Sequence, residues 1–179
     1  MRSRHVQAGG SKLFEFVIVL MLLGALSLMV LEYMRHYIEA AEKSAMETTV
    51  MYLRSALRLR LAEALAAENA AYAIKITRDN PMDWLQDKPY NYAGTFDAPP
   101  PGSIDDGKWY FDTKSRELVY LVEYGREFIP DQDGLKRVRY HIIAPSLENA
   151  IKENRIISVS EIVREVSLVK VKPYTWEFK

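Results

Sequence analysis

Two consecutive hydrophobic patterns occupy the N-terminal part of the chain. Phe16 to Leu31 contains no charged residue. After Leu31 the sequence becomes charged and alanine-rich, and apolar residues recur at spacings of three or four positions, which is the pattern of an amphipathic helix. The recurring apolar positions are Met46, Val50, Leu53, Leu57, Leu61 and Leu65. The two patterns predict a helix that is apolar on all sides in its first part and amphipathic in its second part.

A single long helix is the simplest interpretation of this region. No proline lies between Leu13 and Ala73, and Gly24 is the only glycine there. At ~1.5 Å per residue, such a helix would be roughly 90 Å long. A bilayer core of about 30 Å needs about 20 apolar residues, so residues 11–31 are predicted to span a membrane. Residues 32–73 form the amphipathic half, which needs a sheet or a partner helix to cover its apolar face.

Turn-forming residues and then strand patterns follow the helix. Residues 74–108 are predicted to be a mostly irregular connection, because Asn80 to Gly102 contains most of the prolines. The remaining residues, 109–179, are predicted to form the sheet of a globular head. Trp109–Asp112 and Glu117–Tyr124 are expected to pair as a hairpin across a four-residue turn.

The rest of the head alternates between strand and helix signals. Arg137 to Ala144 alternates polar and apolar residues, which predicts a half-buried strand. Ser146 is expected to cap a short helix that ends near Asn154, and Ile156 to Val171 is expected to contain a last strand. The predicted fold class is therefore α+β, with a long N-terminal helix packed on a mostly antiparallel sheet.

Charge and composition exclude several classes of protein. The 24 basic and 24 acidic residues cancel, and neither sign forms a long run, so we expect no nucleic-acid partner. The chain has no cysteine, which excludes disulfides and thiolate metal sites. We find no nucleophile motif and no phosphate-binding loop, and therefore expect neither enzymatic activity nor a cofactor.

The basic residues before the apolar run predict the orientation in the membrane. Arg2 and Arg4 precede the run, and basic flanks remain on the cytoplasmic side. The C-terminal domain would then lie outside the cytoplasm. A cleaved secretory signal is an alternative, but its small-x-small site, Ala25 to Ser27, lies inside the apolar run.

A short motif separates the basic start from the apolar run. Gly9 and Gly10 precede Ser11, and Glu15 interrupts the beginning of the apolar residues. This start resembles the N-terminus of type IV prepilins and type II secretion pseudopilins, in which a peptidase cuts after glycine and a glutamate is fifth in the mature chain. The resemblance implies cleavage between Gly10 and Ser11, removal of residues 1–10 as a leader, and modification of the new N-terminus at Ser11.

Glu15 is the position that we expect to direct assembly. An ionisable group within a membrane segment is costly, by ~2.5–3.5 kcal/mol for an acidic residue at the helix centre on insertion scales, and by default it indicates function. Cleavage after Gly10 would create an α-amine with a pKa of about 7.7–8.0, which is cationic at neutral pH. An ion pair between the Ser11 amine of one subunit and the Glu15 carboxylate of the next would set the axial register. The alternative is that Glu15 reaches the lipid headgroups from the end of the apolar run.

Two residues depart from the family pattern. Members usually begin with phenylalanine followed by a small or hydroxyl residue, whereas this chain has Ser11 and Lys12. The departure leaves open whether Ser11 is N-methylated. Lys12 could pair locally with Glu15 or reach the headgroups.

A second resemblance lies in the predicted connection and hairpin. Part of this region resembles a segment that recurs in pilin-like proteins of type II secretion and pilus biogenesis. The matching residues are Asn80 to Leu85, Pro89, Asn91, Tyr92, Gly94, Trp109 to Asp112 and Leu118 to Tyr120. Aromatic strands like those of the hairpin would also occur in many unrelated α+β domains.

Possible metal ligands are few. Asp131 and Asp133 lie in the sequence Asp-Gln-Asp-Gly, which ends in an ordinary Asp-Gly turn signal, but the oxygen ligands and distal glutamate of a calcium loop do not follow. They are weak candidates for a metal site, and the three histidines are scattered.

Two functions agree with these expectations. The first is a minor pilin or pseudopilin, a structural subunit of a type IV pilus or type II secretion pseudopilus. Its partners would be other pilin-like subunits, the prepilin peptidase, the inner-membrane assembly platform and, before assembly, membrane lipid. The second is a monomeric, single-pass periplasmic binding module, which would require neither cleavage after Gly10 nor a role for Glu15.

Overall fold

The computed structural model describes residues 10–130 and 134–176. The chain divides into two compact units, Met1–Ala40 and Ala41–Lys179. Four α-helices, one 3-10 helix and five strands are present in the described residues. In chain order they are α1 (Gly10–Ala66), α2 (Ala70–Ile76), the 3-10 helix (Pro81–Trp84), β1 (Tyr92–Phe96), β2 (Trp109–Asp112), β3 (Glu117–Leu121), β4 (Arg137–Ile143), α3 (Pro145–Lys152), α4 (Val159–Glu165) and β5 (Ser167–Lys170).

Helix α1 ends earlier than the sequence predicts. It stops at Ala66 rather than continuing to Ala73, because Glu68 has a φ of 49° and leaves the helical region. A hydrogen bond from the Asn69 amide to the Ala64 carbonyl, at 3.0 Å, closes the last turn. The Asn69 side chain then accepts from the Tyr72 amide and caps α2. The break uses neither glycine nor proline, so the breaker signals do not reveal it.

The predicted core face of α1 is confirmed except at its end. Met46, Val50, Leu53, Leu57 and Leu61 are all buried. Leu65, which the spacing also selects, is 44% exposed, and Ala64 is buried in its place. After Leu61, the next buried position is three residues further on rather than four. A helix with 3.6 residues per turn needs steps of both lengths to keep its buried positions on one side.

The five strands form one sheet in the order β1-β2-β3-β4-β5. The hairpin of β2 and β3 is confirmed, with residues 113–116 as its turn, and β3 ends at Leu121. β4 pairs antiparallel with both β3 and β5. β1 was not predicted, because its residues lie in the proline-rich stretch, and it pairs parallel with β2. The sheet is therefore mostly antiparallel.

The region after β4 differs from the prediction in two places. Ser146 does not cap α3, since Ala144 occupies the cap position and Pro145 begins the helix. Helix α4 occupies 159–165, within the stretch where a strand was expected, and β5 is confined to 167–170. The Ser158 side chain accepts from the Glu161 amide and caps α4, which explains why Val and Ile residues begin a helix here.

The core of the 41–179 unit lies between α1 and one face of the sheet. Side chains from α1 and from β2 to β5 belong to one buried cluster. Within this cluster, the rings of Trp109 and Tyr120 pack with centroids 4.9 Å apart. The strand residues in the cluster are Trp109, Phe111, Leu118, Tyr120, Val138, Tyr140 and Leu168.

Candidate functional site

The motif residues lie at the beginning of α1. The helix starts at Gly10, so the Gly10–Ser11 bond belongs to its first turn. Lys12 and Glu15 are exposed. Because these residues are three positions apart, they lie on neighbouring parts of the helix surface.

Lys12 and Glu15 do not pair with each other. Another pair on the same helix with the same separation, Glu32 and Arg35, does form an ion contact at 3.9 Å. No ion pair or hydrogen bond within residues 10–130 and 134–176 involves Lys12 or Glu15 side chains. In this structure, the local pairing that the sequence allows is not formed.

The apolar run that follows is exposed on every side of the helix. No other part of the described chain covers the large apolar side chains of α1 between Leu13 and Ile38. Their exposed fractions range from 38% at Val17 to 72% at Met29. A helix that is apolar all round requires an apolar environment or other helices. Among the described residues, α1 is the one helix long and apolar enough to cross a membrane, judged by length and composition.

Two tyrosines follow the apolar run. Tyr33 and Tyr37 are one turn apart, and their rings make an edge contact with centroids at 5.1 Å. Both are exposed. Tyrosine is enriched where membrane helices enter the headgroup region, since its ring is apolar and its hydroxyl is polar.

The 41–66 part of α1 has a second uncharged face. The helical period places this face opposite the core face, where an ordinary surface helix would carry charges. Met51, Tyr52 and Leu59 are its large members and are 57%, 64% and 62% exposed. Its other members are small: Ala41, Ser44, Thr48, Ser55, Ala62 and Ala66. This combination of small and large uncharged residues suits contact with another helix.

Glu42 holds α1 against the end of β3. Its Oε1 accepts hydrogen bonds from the Tyr120 hydroxyl at 2.9 Å and from the Glu123 amide at 2.8 Å. Its Oε2 accepts from the Tyr124 amide at 2.7 Å. Burial raises the pKa of Tyr120, and the charge of Glu42 raises it further, so the phenol remains protonated and can donate.

Two basic residues of α1 bind backbone carbonyls in the C-terminal part of the chain. Lys43 Nζ donates to the Trp176 carbonyl at 2.6 Å, and Arg54 Nε donates to the Leu168 carbonyl at 3.4 Å. Trp176 is buried against Phe128, with ring centroids 5.3 Å apart. The sequence did not indicate these contacts, because a charged residue on a helix gives no sign of which distant carbonyl or amide it will meet.

The sequence also offered two weak candidates for metal ligands. Asp131 and Asp133 lie outside the described residues. Within residues 10–130 and 134–176, no group of three or more histidine, aspartate or glutamate residues is arranged to hold a metal ion. Two clefts among these residues have volumes of about 180 and 250 Å³.

Comparisons with protein-family models, with curated proteins and with solved structures found no match to this chain. The resemblance of its N-terminus to prepilins therefore rests on the motif residues themselves. The fold contributes an α+β head, and α1 contributes a long apolar segment at its N-terminal end.

Proposed function

We propose that this chain is a pilin-like structural subunit, a minor pilin or pseudopilin. Prepilin peptidase would remove residues 1–10, and the N-terminal helix would then assemble into a type IV pilus or a type II secretion pseudopilus. The observation that carries the proposal is the position of Gly10, Ser11 and Glu15 directly before a helix segment that is apolar and exposed on all sides. The role is structural rather than catalytic.

In this proposal, the exposed apolar segment has two environments in succession, first lipid and then the helices of other subunits. Before assembly, lipid would surround it, with the N-terminus in the cytoplasm and the head outside the inner membrane. In the filament, helices of other subunits would replace the lipid. Van der Waals contact drives such association, since the lipid is as apolar as the side chains.

Glu15 would supply the polar contact in this exchange. It is exposed and has no side-chain partner among residues 10–130 and 134–176. An unpaired carboxylate beside an apolar segment favours a cation on a neighbouring subunit. The α-amine that cleavage creates at Ser11 is one such cation.

The second uncharged face supports assembly beyond the membrane. Met51, Tyr52 and Leu59 are exposed on the part of α1 that carries the head. Exposed apolar side chains that share one face indicate an interaction surface more strongly than scattered ones do. Contact with helices of neighbouring subunits would bury them, as in other helix pairs with small residues between the large ones.

The first test is the intact mass of the full chain, expressed in membranes with and without a prepilin peptidase. We expect the peptidase to remove Met1 to Gly10 and leave Ser11 at the N-terminus. The same spectrum shows whether a methyl group is added. An uncut chain, or one cut after Ser27, would reject the pilin pathway and favour the anchored module or a secreted domain.

The second test compares two glutamates of α1. We expect Glu15→Gln to abolish assembly, measured by the amount of chain in sheared or detergent-resistant filaments. Glu32→Gln is the matched control, because Glu32 is exposed and already contacts Arg35 on its own helix. If both variants assemble like the wild type, Glu15 has no role in assembly.

A further inference from the structure

Lys12 occupies an unfavourable position in α1. It is the third residue of the helix, within the first turn. The N-terminal end of a helix carries a partial positive charge, so a cation there is destabilising, whereas the C-terminal end would favour it. The first turn contains no acidic residue to offset this charge. A residue that breaks a local rule without a local benefit is a candidate for a function.

The chain offers Lys12 no compensation among its described residues. Glu15 is three positions away, but the two side chains form no ion pair. Their order is also the weaker one, since acidic-before-basic pairs are favoured on a helix and this pair is basic-before-acidic. The Glu32 and Arg35 pair has the favoured order and is formed, at 3.9 Å.

We propose that Lys12 of one copy pairs with Glu15 of a second, parallel copy of this chain. The inference rests on the proposed function and names the partner of Glu15 in the assembly. A shift of three residues along the helix, about 4.5 Å, brings Lys12 of one copy level with Glu15 of the other. Because every copy carries both charges, the contact repeats from copy to copy in a head-to-tail manner.

The α-amine of Ser11 would give a different register. It lies four residues before Glu15, so its pairing requires a shift of about 6 Å. The two cations therefore compete for one carboxylate and specify different positions of the neighbouring helix. Lys12 can form its contact whether or not the new N-terminus is methylated.

A second copy fits these charges better than lipid does. An anionic headgroup would satisfy Lys12 and repel Glu15. A zwitterionic headgroup carries both signs of charge, but its two groups are mobile and are not held at the spacing of Lys12 and Glu15. Parallel copies on the two sides of the helix present the complementary charge to each of them.

The first experiment exchanges the charges in the full chain. We expect Lys12→Glu and Glu15→Lys each to lose assembly, because like charges would then meet between copies. The double variant should restore assembly, since the pair is re-formed with its signs reversed. The matched control exchanges Glu32 and Arg35 as Glu32→Arg and Arg35→Glu, singly and together. We expect these variants to assemble normally, because their contact is within one chain.

Three results would overturn the inference. If Lys12→Glu assembles normally while Glu15→Lys does not, and the double variant is not rescued, the α-amine is the cation and the proposed function stands. If Lys12→Glu reduces only membrane retention, the partner of Lys12 is a headgroup. If the wild-type chain is neither cut nor assembled, the proposed function fails together with the inference. The N-terminal mass of each variant separates defects in cleavage from defects in assembly.

The second experiment does not depend on reversing a charge. The chain has no cysteine, so introduced cysteines are the only reactive thiols. Val19 and Leu22 lie seven residues after Lys12 and Glu15 on the same side of the helix and have the same separation of three residues, so cysteines there keep both charges. Chains with Val19→Cys and chains with Leu22→Cys are co-expressed and treated with a short bismaleimide. We expect mixed dimers about tenfold above the control pair of Val19→Cys with Met29→Cys, because assembly would hold the first two positions adjacent. Equal yields in the two pairs would overturn the proposed contact.

Discussion

The two ends of α1 have the same backbone geometry and opposite surroundings. Around Leu23, the helix is exposed on all sides, and Leu23 itself is 57% exposed. Around Leu53, one side is covered by the sheet, and Leu53 is 0% exposed. Both leucines are equally good helix formers, so the difference between them is not one of secondary structure. It is a difference in which other atoms replace water around the side chain.

This comparison separates two roles of apolar residues. In the 41–66 part, burial against the sheet stabilises the fold of the head. In the N-terminal part, the apolar side chains are exposed, and under the proposed function their free energy depends on lipid or on other chains. A substitution in one part should therefore change folding, and the same substitution in the other part should change location or assembly.

The largest expected effect on folding is that of Leu53→Ala. We expect it to lower the free energy of unfolding of the head by ~2–5 kcal/mol, because it removes buried methyl groups and leaves a cavity. Leu23→Ala is the matched control and should leave the value unchanged. All three tryptophans, Trp84, Trp109 and Trp176, lie in the 41–179 unit, so tryptophan fluorescence in denaturant, on the full chain in detergent, measures the head alone. Equal losses in the two variants would contradict the separation of roles.

The next largest effect is expected in the N-terminal part. Leu23→Lys should reduce membrane insertion by ~2.5–3.5 kcal/mol, since the charge would lie near the centre of the apolar segment. The fraction of chain that remains in carbonate-washed membranes measures this. Leu59→Lys, an equally exposed leucine further along α1, is the control and should remain inserted. Equal retention of Leu23→Lys and Leu59→Lys would contradict the placement of Leu23 near the centre of a membrane span.

A smaller effect is expected where polar contacts attach α1 to the sheet. Glu42→Gln should destabilise the head by ~1–3 kcal/mol, because an amide cannot accept hydrogen bonds through both of its terminal atoms. Glu47→Gln is the matched control, since Glu47 accepts a single long hydrogen bond among the described residues, from the Tyr174 hydroxyl at 3.5 Å. Thermal unfolding monitored by near-ultraviolet circular dichroism compares the two variants. If Glu47→Gln were the more destabilising, the assigned role of Glu42 would be wrong.

The smallest effect on folding is expected on the second uncharged face. Leu59→Lys should change the free energy of unfolding by no more than about 0.5 kcal/mol, as for other exposed positions. It should nevertheless reduce assembly, because the charge would be buried between subunits. Quantifying filaments and head stability for the same sample tests both statements. Normal assembly of Leu59→Lys would remove this face from the proposed interface.

Elements with a strong local pattern were predicted well. The period of α1 identified five of the buried positions from Met46 to Leu61, and the paired aromatic strands identified the β2–β3 hairpin. Elements that depend on distant partners were not. β1 lies in a proline-rich stretch and forms only because β2 offers it a parallel edge. The break at Glu68 depends on backbone bonds that close the helix, which no glycine or proline signals.

The features of the candidate site also fall into those that the sequence predicts and those that depend on distant partners. The positions of Gly10, Ser11 and Glu15 relative to the apolar run can be read from the order of residues alone, because cleavage motifs and membrane segments are local along the chain. The missing contact between Lys12 and Glu15 could not be read, since spacing permits a pair without requiring one. The donors around Glu42 also could not, because residues 120–124 are brought to the helix by the sheet.

By itself, the sequence determined where the apolar helix lies, which of its residues can face a core, and where an acidic residue interrupts the apolar run. These properties follow from periodicity and side-chain chemistry, which act over a few residues. Only the tertiary structure decided which face of α1 the sheet covers and which uncharged face it leaves exposed. It also decided that Glu42 and Lys43 would bind chain segments far away in sequence. Such contacts depend on the whole chain packing at once, because each partner is held in place by a different strand or turn.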